Sequence, residues 1–266
     1  MAMVIEWLSE VWCGSGYEIF YRNGESPPAL KRKFDDAEPE LMDRPQPVSA
    51  ELERDLRNLR QLNVSFGSHQ LVLQFLRQWI KPGNSLRILD LATASGDIPR
   101  LAADYARSIG ATVRIDAVDQ QSSSLEIARR LSADYPEISY HQGNILEWQS
   151  SEPYDIVLCS LVLHHFSEPD AVQVLRRCRD LSHQCVLVSD LRRGLLASIG
   201  VYLLTAIVFR EPMTRYDGRL SAARAFSFTE LGELARRADW RNFRHRRFRF
   251  ARQAIWLSNA CSGRRG

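Results

Sequence analysis

The chain has 266 residues, 45% apolar, 25% charged and 9% aromatic, with a formal net charge of +3. That length holds one large domain or two small ones, and that composition excludes a collagen-like or wholly disordered chain. The five cysteines, Cys13, Cys159, Cys178, Cys185 and Cys261, include no CxxC pair. The usual zinc spacings are therefore absent, no metal site is predicted, and a reducing, cytoplasmic compartment is expected. The opening MAMVIEWLSEVW carries Glu6 and Glu10 and lacks a basic n-region, so no signal peptide is expected.

Residues 1–48 hold Pro27, Pro28, Pro39, Pro45 and Pro47 with the acidic run Asp35, Asp36, Glu38, Glu40 and Asp43, which predicts a mobile leader. The folded domain is placed at 49–260, opening with a helical cap over 49–82, and 261–266 is a tail. Ser49 is a candidate N-cap for a stripe of Leu52, Leu56, Leu59 and Leu62. Past Gly67, the residues Leu71, Val72, Phe75, Leu76 and Trp79 predict a second amphipathic helix.

Strands and helices then alternate. Strands are predicted at Leu86–Leu91, Thr112–Val118, Ile138–His141, Tyr154–Ser160 and Gln184–Ser189. Helices are predicted over Ile98–Ser108, after a capping box of Ser123 and Glu126, and over Ser167–Leu181. Such alternation means βαβ units and a doubly wound α/β sheet. Leu195–Phe209 runs fifteen residues without a charge. It is short of the roughly 20 residues of a membrane span and reads as a buried helix, which could line a greasy pocket or touch a bilayer surface peripherally. A helix capped by Ser227 and Glu230 follows. The period-two stretch FRHRRFRF at 243–250, with Ala254–Leu257, predicts a closing antiparallel hairpin and a seven-stranded mixed sheet.

The chemistry concentrates at strand ends. In LRILDLATASGDIP, Leu86–Pro99, a strand ends in Asp90 and a small-residue turn precedes a helix. Ala92, Ala94 and Gly96 do not meet GxGxxG, but small side chains let the backbone approach a ligand that faces the helix start. Asp119 ends the next strand, followed by Gln120. A carboxylate there can accept both hydroxyls of a ribose. Asn144 and Ile145 follow the third strand, where an amide and an apolar side chain could meet the edge and face of adenine. Ser160 ends the fourth strand, at the sheet edge where open α/β folds bind ligands.

These four pieces, in this order, resemble the class I S-adenosylmethionine-dependent methyltransferases. Within that class the chain looks like the ubiquinone/menaquinone-type C-methyltransferases and related small-molecule enzymes. The resemblance covers roughly Leu62–Leu257 and implies a Rossmann-like fold with S-adenosyl-L-methionine as cofactor. It implies cofactor contacts at Ser95, Asp119, Asn144, Ile145 and Ser160, with Asp90, Ala92, Ala94, Gly96 and Gln120 in the same cradle. LNVSFGSH at 62–69 resembles the segment that caps the cofactor. Two departures stand out: alanines at two glycine positions of the first motif, a change expected to add only a methyl group, and LVLHHF at 161–166 where the quinone enzymes carry an arginine–asparagine pair.

A histidine near the transferred methyl could take a phenolic proton, so His165 is the first candidate base, then His164 and Asp190. Adjacent residues are not expected to share one cleft, so one histidine at most is assigned catalysis. Asp190 has the alternative role of holding Arg192 or Arg193. Cys159, inside a buried strand, is expected to be inert packing. The expected acceptor is a small hydrophobic phenolic, quinone-like or polyketide-derived ring, methylated on oxygen rather than carbon, with no nucleic-acid partner. Two rival readings stay open: an RNA-modifying or RNA-binding protein using the arginine-rich hairpin, and a cofactor-binding accessory subunit without turnover.

Overall fold

Ser49 opens the first helix, its hydroxyl accepting the Leu52 N–H at 3.1 Å. Helix α1 (Ala50–Ser65) follows, burying Leu52 and Leu56. Gly67 turns the chain at φ +77°, a left-handed conformation that favours glycine, into α2 (Ser68–Trp79). The computed structural model describes residues 31–35, 37–194 and 212–258. The apolar segment Leu195–Phe209, residues 1–30 and the tail 261–266 lie outside the described residues.

The alternation continues as β1 (Ser85–Leu91), α3 (Asp97–Ser108), β2 (Thr112–Asp119), α4 (Ser122–Leu131), β3 (Ile138–Gln142), β4 (Tyr154–Ser160), α5 (Glu168–Asp180) and β5 (Ser182–Leu191). Then come α6 (Pro212–Arg224), α7 (Phe228–Arg237), β6 (Arg244–Phe248) and β7 (Arg252–Ser258). The seven strands form one sheet in the order β3-β2-β1-β4-β5-β7-β6. β1 to β5 pair in parallel, whereas β7 runs antiparallel to both β5 and β6, so the hairpin closes the sheet as expected.

Alternation along the strands divides the core. Leu89, Leu91, Val157, Cys159, Val186 and Val188 pack on one face with α5 and α7 residues. Ile88, Ile115, Ile156, Leu158 and Leu187 pack on the other with α2 and α3 residues. Both faces are covered, as a parallel sheet requires. Cys159 belongs to this core: neighbouring Cys178 and burial push its thiol well above the ordinary range, so it is inert packing.

The register aligns Leu91 with Val118 and Cys159, and Ser160 with Ser189. The carboxyl ends of β1, β2, β4 and β5 therefore share one edge. The strand order reverses between β1 and β4, which opens a crevice at that edge.

Two local expectations are corrected. The Ser123–Glu126 capping box does not form: α4 starts after Gln121 with no side-chain cap, and Ser123 is buried inside the helix. The Asp119 carboxylate takes the Gln121 N–H at 2.9 Å, which ties the turn before Ser123 can cap it. The box at Ser227 and Glu230 does form at the start of α7. The mobile leader is the second correction. Its described residues lie against the domain. Arg32 donates to the carbonyls of Arg224 (2.6 Å), His164 (3.1 Å) and Phe166 (2.7 Å) and stacks over the Phe226 ring at 3.8 Å. The N–H groups of Leu41 and Met42 donate to the two Asp217 carboxylate oxygens at 2.7 and 3.0 Å.

Candidate active site

The turn after β1 is built from left-handed residues: Ala92 at φ 58°, Ala94 at φ 47° and Gly96 at φ 73°. Alanine in this region is strained, so the two alanines cost backbone energy, not merely the volume of a methyl group. The Thr93 N–H donates to the Val118 carbonyl at 3.0 Å, and the Ala94 N–H to Asp119 Oδ2 at 2.8 Å. The loop is thus moored to the end of β2.

Asp119 is buried, and its carboxyl is raised above the ordinary value by that burial, against the pull of the N–H groups of Gln121 and Ala94. Asp90, at the end of β1, is raised to about 8 by burial, with the carboxylates of Asp97 and Asp119 adding to the shift. Asn144 caps its own turn by accepting the Leu146 N–H at 2.9 Å, and Ile145 is buried beside it. Ser160 Oγ accepts the Ser189 hydroxyl at 3.1 Å.

A cavity of about 560 Å³ opens at this edge. Asp90, Ala92, Ala94, Ser95, Asp119, Gln120, Asn144, Ile145, Ser160, His164 and His165 all line it. The capping segment contributes Leu62, Asn63, Phe66 and Ser68. Gly96 and Asp190 do not line it. Glycine is required at position 96 for another reason, because a Cβ there would stand 2.1 Å from the Tyr140 hydroxyl.

The apolar walls of the cavity include Phe34, Met42, Leu56, Leu59, Phe166 and Phe250, with Met42, Leu56 and Ala94 of the turn in one cluster. The polar floor of the cavity is the histidine pair, in a short 3-10 turn at Leu163–His165. Both rings face this cleft, their centroids 4.3 Å apart, which corrects the expectation that adjacent residues cannot share it. Carboxylates draw the rings together. His164 Nδ1 bonds Asp190 Oδ1 at 2.6 Å, and His165 Nδ1 bonds Asp43 Oδ2 at 2.7 Å. Burial opposes charge on His165, but the Glu40 carboxylate and the Asp43 hydrogen bond outweigh it and raise its pKa to about 9. Burial likewise pushes Asp43 up, and the bond to His165 more than reverses this.

Asp190 therefore holds His164. Arg193 pairs with Glu230 at 2.6 Å. Glu40, Asp43 and Asp217 are cavity residues that the sequence did not single out. The first two sit in the proline-rich acidic run, whose composition signals solvation, and nothing in their spacing marks the histidines as partners.

Residues 88–184 match the family described as a methyltransferase domain. That stretch of the chain is similar to a methyltransferase domain. It is 35% identical over 83 residues to 2-phytyl-1,4-naphtoquinone methyltransferase of Thermosynechococcus vestitus, covering 31% of this chain and 36% of that protein. It is 33% identical over 95 residues to ribosomal protein uL3 glutamine methyltransferase of Bordetella pertussis, covering 34% of this chain and 30% of that one. The chain thus spans about a third of the length of the curated relatives it matches. In fold it is similar to the plantazolicin methyltransferase BamL, solved with a triazolic desmethylPZN analog and SAH, at a TM-score of 0.59 and 14% identity over 76% of this chain and 73% of that one. Among the described residues no helix is long and apolar enough to cross a membrane.

Proposed function

We propose that this chain transfers a methyl group from S-adenosyl-L-methionine to a small hydrophobic acceptor with a phenolic, quinone-like or polyketide-derived ring, on oxygen in preference to carbon. The observation that carries this reading is one continuous cavity. Its lining brings together a buried carboxylate, a small-residue turn, an aromatic wall and the histidine pair.

The donor set fits the adenosyl half of the cofactor. The Asp119 oxygens accept the Ala94 and Gln121 N–H groups, with the Gln120 N–H also drawn to them, and the carboxylate lines the cavity, where it can take ribose hydroxyls. Asn144 and Ile145 stand where an adenine edge and face would lie, Gln120 follows the ribose carboxylate, and Asp90, Ala92, Ala94, Ser95 and Ser160 border the remainder. When bound, the cofactor supplies an electrophilic methyl on a sulfonium.

The protein's own work is alignment, since bringing a nucleophile in line at near contact removes much of the barrier. Phe34, Phe166 and Phe250 exclude water and hold a flat apolar ring. His164 and His165 are the only imidazoles of the cavity lining among the described residues, and their nitrogens suit an acceptor oxygen better than a carbon. Asp190 positions His164 from behind. A cavity of about 560 Å³ suits a small acceptor rather than an RNA strand.

The test is transfer of isotopically labelled methyl from the cofactor to a panel of phenols, hydroxyquinones and 1,3-dicarbonyl rings, with the product's methyl located by NMR. An oxygen-bound methyl on a ring acceptor is expected. Cofactor binding without turnover on any ring would favour the accessory-subunit reading instead.

A further inference from the structure

We propose that Glu40, His164 and His165 form a binding site for one divalent transition cation of the zinc, iron or nickel type, in the lining of the cavity. The site stands on its own geometry. Only its use, holding an acceptor oxygen, rests on the methyl-transfer reading.

One ligand atom from each of the three residues lies within 4.8 Å of the others. His164 Nε2 stands 3.8 Å from Glu40 Oε1, and His165 Nε2 stands 3.9 Å from Glu40 Oε2. Both separations are too long for hydrogen bonds. Two ring nitrogens thus stand beside a carboxylate without hydrogen-bonding to it. Metal–nitrogen and metal–oxygen bonds of about 2.0–2.2 Å put the ligands of a tetrahedral ion about 3.4 Å apart. With one ligand atom from each residue lying within 4.8 Å of the others, the groups close by at most about 1.4 Å to hold one ion, a shift within reach of side-chain rotation.

The supports behind the ligands match the same purpose. The opposite nitrogen of each ring, Nδ1, is bonded to a carboxylate, Asp190 for His164 and Asp43 for His165. A carboxylate accepts, so Nδ1 carries a hydrogen, and Nε2, on the side of Glu40, is the atom left to bind an ion, giving up any proton it holds as the ion enters. Glu40 is itself oriented, because Oε1 accepts the Ser221 hydroxyl at 2.6 Å. Carboxylate-backed imidazoles and a hydrogen-bonded carboxylate are the usual outer shell of a metal ligand set. Two imidazoles with one carboxylate favour transition cations over magnesium or calcium. Three protein ligands leave a position open, and the groups line the cavity, so an oxygen of the acceptor could complete the coordination. Glu40 precedes His164 by 124 positions, so no local ligand spacing exists for a sequence scan to find.

The test uses the full chain without a histidine tag, stripped with a chelator and titrated with Zn²⁺ by calorimetry and with Co²⁺ by visible absorption. One equivalent is expected to bind, with cobalt d–d bands of a low-coordinate site. Glu40→Gln and His165→Ala, checked for folding by circular dichroism, are expected to weaken binding at least about 100-fold. Asp43→Asn, which touches no metal, is expected to weaken it about 10–100-fold. His141→Ala, remote from the cavity, is the control. Absence of stoichiometric binding, or binding indifferent to Glu40→Gln and His165→Ala, overturns the site. S-adenosylhomocysteine is titrated separately. Metal binding without cofactor binding would sustain the site and sink the methyl-transfer reading, while cofactor binding without metal binding would do the reverse.

Discussion

Asp190 accepts two hydrogen bonds from His164, one from its backbone N–H at 2.9 Å and one from ring Nδ1 at 2.6 Å. Both residues are at most 3% exposed. A single carboxylate at the end of β5 thereby fixes the 3-10 turn after β4 and the plane of the imidazole within it. Asp190→Asn keeps one acceptor oxygen but sets an NH2 against either the backbone N–H or the ring. Loss of one charge-assisted bond is expected to cost about 1.5–3 kcal/mol. Urea denaturation reads it, and unchanged stability would show that the pair carries no such load.

Arg32 gives a second expectation. Its guanidinium satisfies three carbonyls from two separate segments and stacks on Phe226. At about 1 kcal/mol net for each hydrogen bond, Arg32→Ala is expected to lose about 2–3 kcal/mol. A denaturation midpoint identical to the parent's would return residues 31–35 to the status of a leader.

How far the sequence could be read follows from these contacts. The strands were legible because Ile88 and Leu89, or Val157 and Leu158, serve opposite faces of a covered sheet and so read as apolar runs. Asp119, Asn144 and Ser160 were legible because chain order puts them at successive strand ends. Glu40 and Asp43 were not, because an acidic, proline-rich run looks the same whether water or a buried histidine receives its carboxylates. Ser123 misled for a related reason: a capping pattern is local, and Asp119 tied the turn first.

The turn after β1 makes a backbone prediction. Ala94 sits at φ 47°, where an L-residue is strained by about 1–2 kcal/mol, partly offset by the greater unfolded freedom of glycine. Ala94→Gly is therefore expected to be neutral or to stabilise by up to about 1 kcal/mol. Ala102→Gly, inside α3, is expected to lose at least about 1 kcal/mol. Equal losses in the two variants would contradict the strain argument.

Asp90 predicts a dependence on pH. Its pKa stands at about 8 against an ordinary 3.8, so between those values the folded chain holds a proton that the unfolded chain releases. Stability contributed by this group is complete below pH 3.8 and falls as pH rises towards 8. Asp90→Asn resembles the protonated acid and lacks that slope. The difference in Tm, variant minus parent, is expected to shift in the variant's favour as pH rises from 4 to 8. A difference that stays flat across that range would place the Asp90 carboxyl in an ordinary environment.

The central claim is that Asp119 and the turn beside it receive the ribose of S-adenosyl-L-methionine. Calorimetric titration of the full chain with S-adenosylhomocysteine tests it most directly, alongside Asp119→Ala. Removing the carboxylate deletes two charge-assisted bonds to the ribose, each worth about 1.5–3 kcal/mol, and frees the N–H groups of Ala94 and Gln121. One-to-one binding by the parent is expected, with affinity at least about tenfold weaker in a variant that is still folded but less stable. No binding by the parent, or equal affinity in the two proteins, would contradict it.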